Sequence, residues 1–301
     1  MSAPKERLWR PPFALSLPRT LSGLCRGPRE PSMCYAPDGS FWRATRTPEG
    51  PSTTRYLETE EGLLLQAWGD GADWSLEHGP ELLGATDTAE QFSPSGKLGA
   101  LQRRYPGMRM PRTRSVYEAC LRSVLEQKVT GKEARLAYDA MFHRYGEPAP
   151  GPMALTLAPR PEVLAAVPYY DLHPLGIEMR RAETLRRVAA AAERLDQTPD
   201  RPLAEAQATL QSIPGIGEWT TAEVSILALG DADAVSVGDY HLKNKVTFAF
   251  TGRARGSDEE MLELLAPHRP HRARVIRLIE AAGIKAPAFG PRQRLRSFRR
   301  F

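Results

Sequence analysis

The sequence predicts an α+β protein: a small antiparallel β N-terminal domain over residues 1–105, a mainly helical region over 106–290, and a basic tail at 291–301. Two observations carry this. Short alternating or aromatic-bearing runs separated by Gly, Pro, Asp and Ser clusters fill residues 12 to about 85. From about residue 112 the apolar period lengthens to that of a helix.

The strands are expected at Phe13–Leu17, Phe41–Thr47, Arg55–Glu58 and Leu63–Ala67, with Pro37-Asp38-Gly39 as a hairpin-type turn. In the second part, Val116, Cys120 and Val124 recur every fourth residue, with Leu121 and Leu125 beside them. Leu185, Val188, Ala192 and Leu195 form another stripe. Gly146–Pro152 and Pro168–Pro174 break the helices. Residues 203–210 and 218–229 read as two helices around a short Gly turn, and Met261–Leu265 and Val275–Ala282 supply the last helical patterns.

The bulk composition narrows the classes of function. No run approaches the roughly 18 apolar residues of a membrane span, and no signal-like segment opens the chain. Cys25, Cys34 and Cys120 are too few and too scattered for a disulfide scaffold, a zinc ribbon or a four-cysteine cluster, so a cytoplasmic location is expected. His241, His268 and His271 lack zinc spacing, and no Walker loop, nucleophile elbow or dinucleotide motif is present. Net charge is +5, unevenly spread: residues 1–100 hold 10 Lys/Arg against 13 Asp/Glu, a net of −3, so the remainder carries +8. Arg292, Arg294, Arg296, Arg299 and Arg300 crowd the tail. Such a region suits a polyanionic partner, and equally a solvated surface.

The strongest local signal is Ile213-Pro214-Gly215-Ile216-Gly217-Glu218-Trp219-Thr220-Thr221-Ala222. An apolar helix end runs into Pro, then Gly-x-Gly, then a fresh helix. The two glycines allow a tight turn and keep side chains out of the way of a ligand. The unpaired N–H groups and dipole of the second helix suit a phosphate oxygen. A plain αα-turn also favours glycine. Asp239 follows 22 residues after Gly217, in Val235-Ser236-Val237-Gly238-Asp239-Tyr240-His241. By local pattern alone it reads as a helix N-cap.

The hairpin and the acid after it resemble the helix-hairpin-helix DNA glycosylase superfamily, and within it the bacterial 3-methyladenine DNA glycosylase II family. The resemblance extends over about residues 100–285. It includes Tyr105-Pro106-Gly107-Met108-Arg109-Met110-Pro111, Leu125-Glu126-Gln127-Lys128-Val129-Thr130, Leu175-Gly176-Ile177 and Arg180-Arg181-Ala182-Glu183-Thr184-Leu185. It implies a mainly helical glycosylase core, with Asp239 as the catalytic carboxylate of a monofunctional enzyme that flips out damaged, alkylated purines. Bifunctional relatives place a Schiff-base lysine two residues after the second hairpin glycine; here that residue is Trp219, which forms no imine.

The resemblance assigns the base pocket to Trp219, Glu223, Glu280 and Tyr240, with glutamates at 223 and 280 where the family has aromatics. It assigns DNA contacts to Pro214, Gly215, Ile216, Gly217, Glu218 and Thr220, and also to Gln127 and Lys128, with Lys128 as the plug of the vacated stack and Gln127 before it. No cofactor is required, but the backbone carbonyls of Gln211, Ile213 and Ile216 correspond to a site for Na+ or K+. The partner implied is duplex DNA with damaged bases, bound by a monomer. A competing reading keeps the hairpin and basic tail but no catalysis: a protein that binds distorted DNA, its pocket decayed at Glu223 and Glu280.

Overall fold

The computed structural model describes residues 3–287 apart from 26, 28 and 29; the arginines at 292–300 lie outside the described residues. The chain opens with strand β1 (Lys5–Trp9), a short helix α1 (Leu17–Leu21) and strands β2 (Met33–Tyr35), β3 (Phe41–Thr47), β4 (Gly50–Thr59) and β5 (Gly62–Trp68). They form one antiparallel sheet in the order β1-β5-β4-β3-β2. The predicted turn at Pro37-Asp38-Gly39 joins β2 to β3, with Gly39 at φ +81°.

The expected strand at Phe13–Leu17 is not one. Pro18 sits in the first turn of α1, where its missing N–H costs nothing, and it could not donate to a ladder. The first strand lies earlier, at Lys5–Trp9. A helix, α2 (Ala72–Leu82), also falls inside the stretch expected to be strands. It covers the face carrying Tyr56 and Leu65, and Gly79 allows the approach: a Cβ there would meet Leu65 Cδ2 at 2.2 Å.

Helices dominate from here. They are α3 (Gly96–Arg104), α4 (Val116–Leu125) and α5 (Gly131–Tyr145), the last started by a capping box in which Thr130 and Glu133 satisfy each other's backbone amides. A two-residue ribbon, β6 (Glu147–Pro148) with β7 (Thr156–Leu157), precedes α6 (Pro161–Ala166), α7 (Tyr169–Leu172), α8 (Met179–Ala190) and α9 (Ala192–Asp196). The hairpin helices are α10 (Leu203–Gln211) and α11 (Glu218–Val224), which continues into a π-helical turn at Ser225–Leu229. Then come α12 (Leu242–Thr251), α13 (Asp258–Leu265) and α14 (Arg272–Ala281).

The cores cut across the expected boundary at residue 105. One apolar cluster joins Phe41, Tyr56 and Leu65 of the sheet to Val116, Leu121 and Val124 of α4, Leu185 and Val188 of α8, and Ile213 and Ile216 of the hairpin. A second joins Phe92, Leu98 and Met108 to Val246, Met261, Leu265, Val275 and Ile279. On the other sheet face Trp42 stacks on Trp68, centroids 5.3 Å apart, beneath Leu155 and Leu157. Polar ties reinforce these joints. Arg43 of β3 donates to Ser115 Oγ at 2.7 Å and lies 3.3 Å from Glu118 of α4. Arg274 of α14 is paired with Asp87, both almost wholly buried.

Candidate active site

The hairpin is held from three sides. Ile213 and Ile216 are buried anchors, while Pro214, Gly215, Gly217 and Glu218 are exposed. The amide of Ile216 donates to the Ile213 carbonyl at 3.0 Å, closing the turn. Gly215 has φ +103°, and a Cβ there would lie 2.1 Å from Thr184 Oγ1 of α8, so both backbone and packing demand glycine. Gly217 is different: nothing lies within 4 Å of its would-be Cβ. It is the N-cap of α11 and leaves the first amides of that helix open to a ligand. Glu218, the next residue, adds a carboxylate to the same helix start.

Gln127, the residue before the expected plug, clamps the hairpin. Its Nε2 donates to the Gly215 carbonyl at 3.0 Å and to Thr220 Oγ1 at 2.9 Å, with Thr220 itself buried. Lys128 beside it is exposed and held at φ +55°, a conformation uncommon for a side chain larger than Gly or Asn. Arg187 of α8 adds a further brace, donating to the Pro214 carbonyl at 3.3 Å. Neither Thr184 nor Arg187 was predicted, since both act through tertiary contacts 27 to 31 residues away that no local pattern encodes.

Asp239 is half-exposed on the loop before α12. Its Oδ1 accepts the backbone amides of His241 and Leu242, both at 2.8 Å. The N-cap of α12 is His241, not Asp239 as expected; two residues earlier, the Asp239 side chain closes an Asx-type turn into the helix. The turn occupies one oxygen only; Oδ2 has no hydrogen-bond partner among the described residues. The loop is braced at Gly238, at φ +86°, whose amide donates to Asp258 Oδ1 at 3.1 Å; Asp258 in turn binds Lys243 at 3.0 Å.

The remaining pocket candidates separate by depth. Trp219 and Glu223 stand four apart on α11, hence on one face. Trp219 is half-buried. Glu223 reaches the Asp239 loop directly: Ser236 Oγ donates to its Oε1 at 2.5 Å. Burial pushes the Glu223 carboxyl upward, the Ser236 hydroxyl and Arg122 oppose this, and the charges of Asp239 and Glu280 add to the rise. Glu223 and Asp239 thus lie within electrostatic reach. Glu280 sits farther out on α14, exposed and ion-paired with Lys245 at 2.6 Å. Tyr240 is 80% exposed, edge-on to His241 at 4.9 Å, and offers its ring to solvent. The Ser236–Glu223 tie joins the hairpin's second helix to the Asp239 loop, a link that sequence reading missed.

This arrangement defines a helix-hairpin-helix protein with the Asp239 loop tied to the second hairpin helix through Ser236 and Glu223. Residues 121–270 match the HhH-GPD superfamily of base excision DNA repair proteins, and the chain belongs to that superfamily. DNA-3-methyladenine glycosylase 2 of Escherichia coli is 31% identical over 153 residues, spanning 50% of this chain and 54% of that enzyme. The Bacillus subtilis protein YfjP is 26% identical over 220 residues, spanning 71% of this chain and 72% of that protein. A solved 3-methyladenine DNA glycosylase from Archaeoglobus fulgidus superposes with a TM-score of 0.77 at 18% identity, covering 92% of this chain and 97% of that one. Sheet and helical region alike therefore share that architecture. Among the described residues no helix is long and apolar enough to cross a membrane.

Proposed function

We propose that the chain is a monofunctional DNA glycosylase of base excision repair, which flips damaged, alkylated purines out of duplex DNA and hydrolyses their N-glycosidic bond with Asp239 as catalytic carboxylate. The observation that carries this reading is the Asp239 carboxylate itself, with one oxygen fixed by two amides and the other unpartnered. Cleaving the bond develops positive charge on the sugar. A carboxylate already oriented by two backbone amides can stabilise that charge and orient or deprotonate a water without reorganising. The names of the E. coli and A. fulgidus relatives support alkylated bases as the substrates.

Each remaining group takes a role in positioning. The open backbone at Gly217 and the start of α11 receive a phosphate, fixing the protein on the duplex without reading sequence. Lys128 fills the gap left by the flipped nucleotide, a step that costs roughly a few kcal/mol of unstacking. Trp219 offers an aromatic face to the extruded base, and a cationic alkylated purine gains from it. The tryptophan has no amine, so the strand stays whole after base removal. The carbonyls of Gln211, Ile213 and Ile216 form a neutral oxygen set; Ile213 spends one lone pair on the Ile216 amide and keeps another. That chemistry fits Na+ or K+, which would stiffen the hairpin and add positive charge near the phosphate. The protein acts on DNA as a monomer.

Methylated duplex DNA tests this. Free purine should be released into the supernatant while the strand remains intact until alkali breaks the abasic site. No free base, or strand nicking without alkali and trapping by borohydride, contradicts the proposal.

A further inference from the structure

Glu223 is a half-buried acid that the chemistry above does not use. It projects from the same face of α11 as Trp219, four residues on. Its Oε1 is engaged by Ser236 Oγ at 2.5 Å, and its Oε2 has no hydrogen-bond partner among the described residues. The cation that acts on it, Arg122 of α4, donates to the carbonyls of Leu24 at 2.9 Å and Gly23 at 2.8 Å, and forms no ion pair with Glu223 among the described residues. The acid therefore lies within electrostatic reach of Asp239, half-buried and with no ion-pair partner among the described residues.

We propose that Glu223 is a specificity-determining residue, a carboxyl group that favours cationic over neutral damaged bases in the pocket. This rests on the glycosylase reading above and names its substrate class more narrowly. A half-buried acid with an unpaired oxygen is harder to ionise than one in open water. A base carrying a formal positive charge supplies the missing countercharge, whereas a neutral base leaves that cost unrelieved. Ser236 holds the carboxyl in place, and its hydroxyl serves as donor to the ionised group. The groups that act on Glu223 are Arg122 from α4, Asp239 and Ser236 from the loop before α12, and Glu280 from α14, the last already paired with Lys245. Because burial raises the Glu223 carboxyl above its ordinary value, preference for cationic bases strengthens as pH rises through that raised value and fades below it.

The test compares wild type, Glu223→Gln and Asp239→Asn on duplexes holding one 7-methylguanine, which is cationic, or one hypoxanthine, which is neutral. Single-turnover excision is measured from pH 5 to 9, and thermal melting confirms that each variant is folded. The ratio of the two single-turnover rate constants should fall about tenfold in Glu223→Gln and lose its dependence on pH. Glu223→Asp, which keeps the charge on a shorter stem, should recover part of the ratio. A Glu223→Gln ratio within about threefold of wild type, with an unchanged pH profile, overturns the proposal. Failure of the underlying reading looks different: wild type then excises neither base, or Asp239→Asn excises both as wild type does. Should Glu223→Gln unfold, Ser236→Ala frees the same carboxyl without removing it and must shift the ratio in the same direction; no shift refutes the inference.

Discussion

At the residue scale the decisive group is Asp239. From the sequence it is a helix cap; in the structure the cap of α12 is His241, and Asp239 closes the turn before it, with His241 and Leu242 donating to a single oxygen. What the sequence alone could not supply is that the other oxygen stays free. Asparagine accepts the same two amides but carries no charge. Asp239→Asn should therefore melt close to wild type, whereas Asp239→Ala should lose about 1 kcal/mol of stability with those bonds. Calorimetric melting of the two variants checks this, and equal losses would show that the turn bonds contribute nothing. Glu223 was legible as a candidate, but its bond to Ser236, across 13 residues and two elements, has no local signature.

At the scale of elements the hairpin was the most legible feature, because glycine geometry is local. The structure nevertheless divides the two glycines by function. Gly215 is structural: positive φ and contact with Thr184 leave no room for a side chain. Gly215→Ala should destabilise the fold by about 1–3 kcal/mol. Gly217 has ordinary backbone and open space around it. Gly217→Ala should melt near wild type yet weaken binding to duplex DNA, because a methyl group would stand where the phosphate approaches. Denaturant unfolding and fluorescence anisotropy separate the two effects; the reverse pattern would contradict this assignment. Other elements were hidden for reasons equally local. Helix α2 carries Gly79 and Pro80, poor helix residues that its packing on Leu65 overrides. Phe13, Leu15 and Leu17 alternate like a strand, but Pro18 makes their end a helix start.

At the scale of the whole molecule, sheet and helices share one core, so a boundary drawn from change of period does not mark a gap between cores. Pattern reads the element; it does not read which elements share a core. Charged pairs hold the joints. Removing one member of the buried Asp87–Arg274 pair, as in Asp87→Ala, should cost about 3–5 kcal/mol by leaving an uncompensated guanidinium. A second joint binds α2 to the segment before α4 through Glu81. Burial opposes its ionisation, but His78, Arg114 and Arg112 outweigh burial and hold its carboxyl below the usual range. A depressed carboxylate stabilises the fold above its unfolded pKa, and that stability disappears as pH falls through the folded value. Glu81→Gln should accordingly lower stability at neutral pH and flatten its decline in acid, as unfolding free energies measured from pH 7 down to pH 3 would reveal. Binding to undamaged duplex should also weaken steeply with salt, as phosphate contacts release counterions.

The central claim is that one half-free carboxylate breaks the glycosidic bond. Single-turnover release of 7-methylguanine from a defined duplex, by wild type and by Asp239→Asn at matched DNA occupancy, tests it most directly. The account predicts that the folded Asn variant binds the duplex as wild type does but releases base at least about a hundredfold more slowly. Release by Asp239→Asn at the wild-type rate would contradict it.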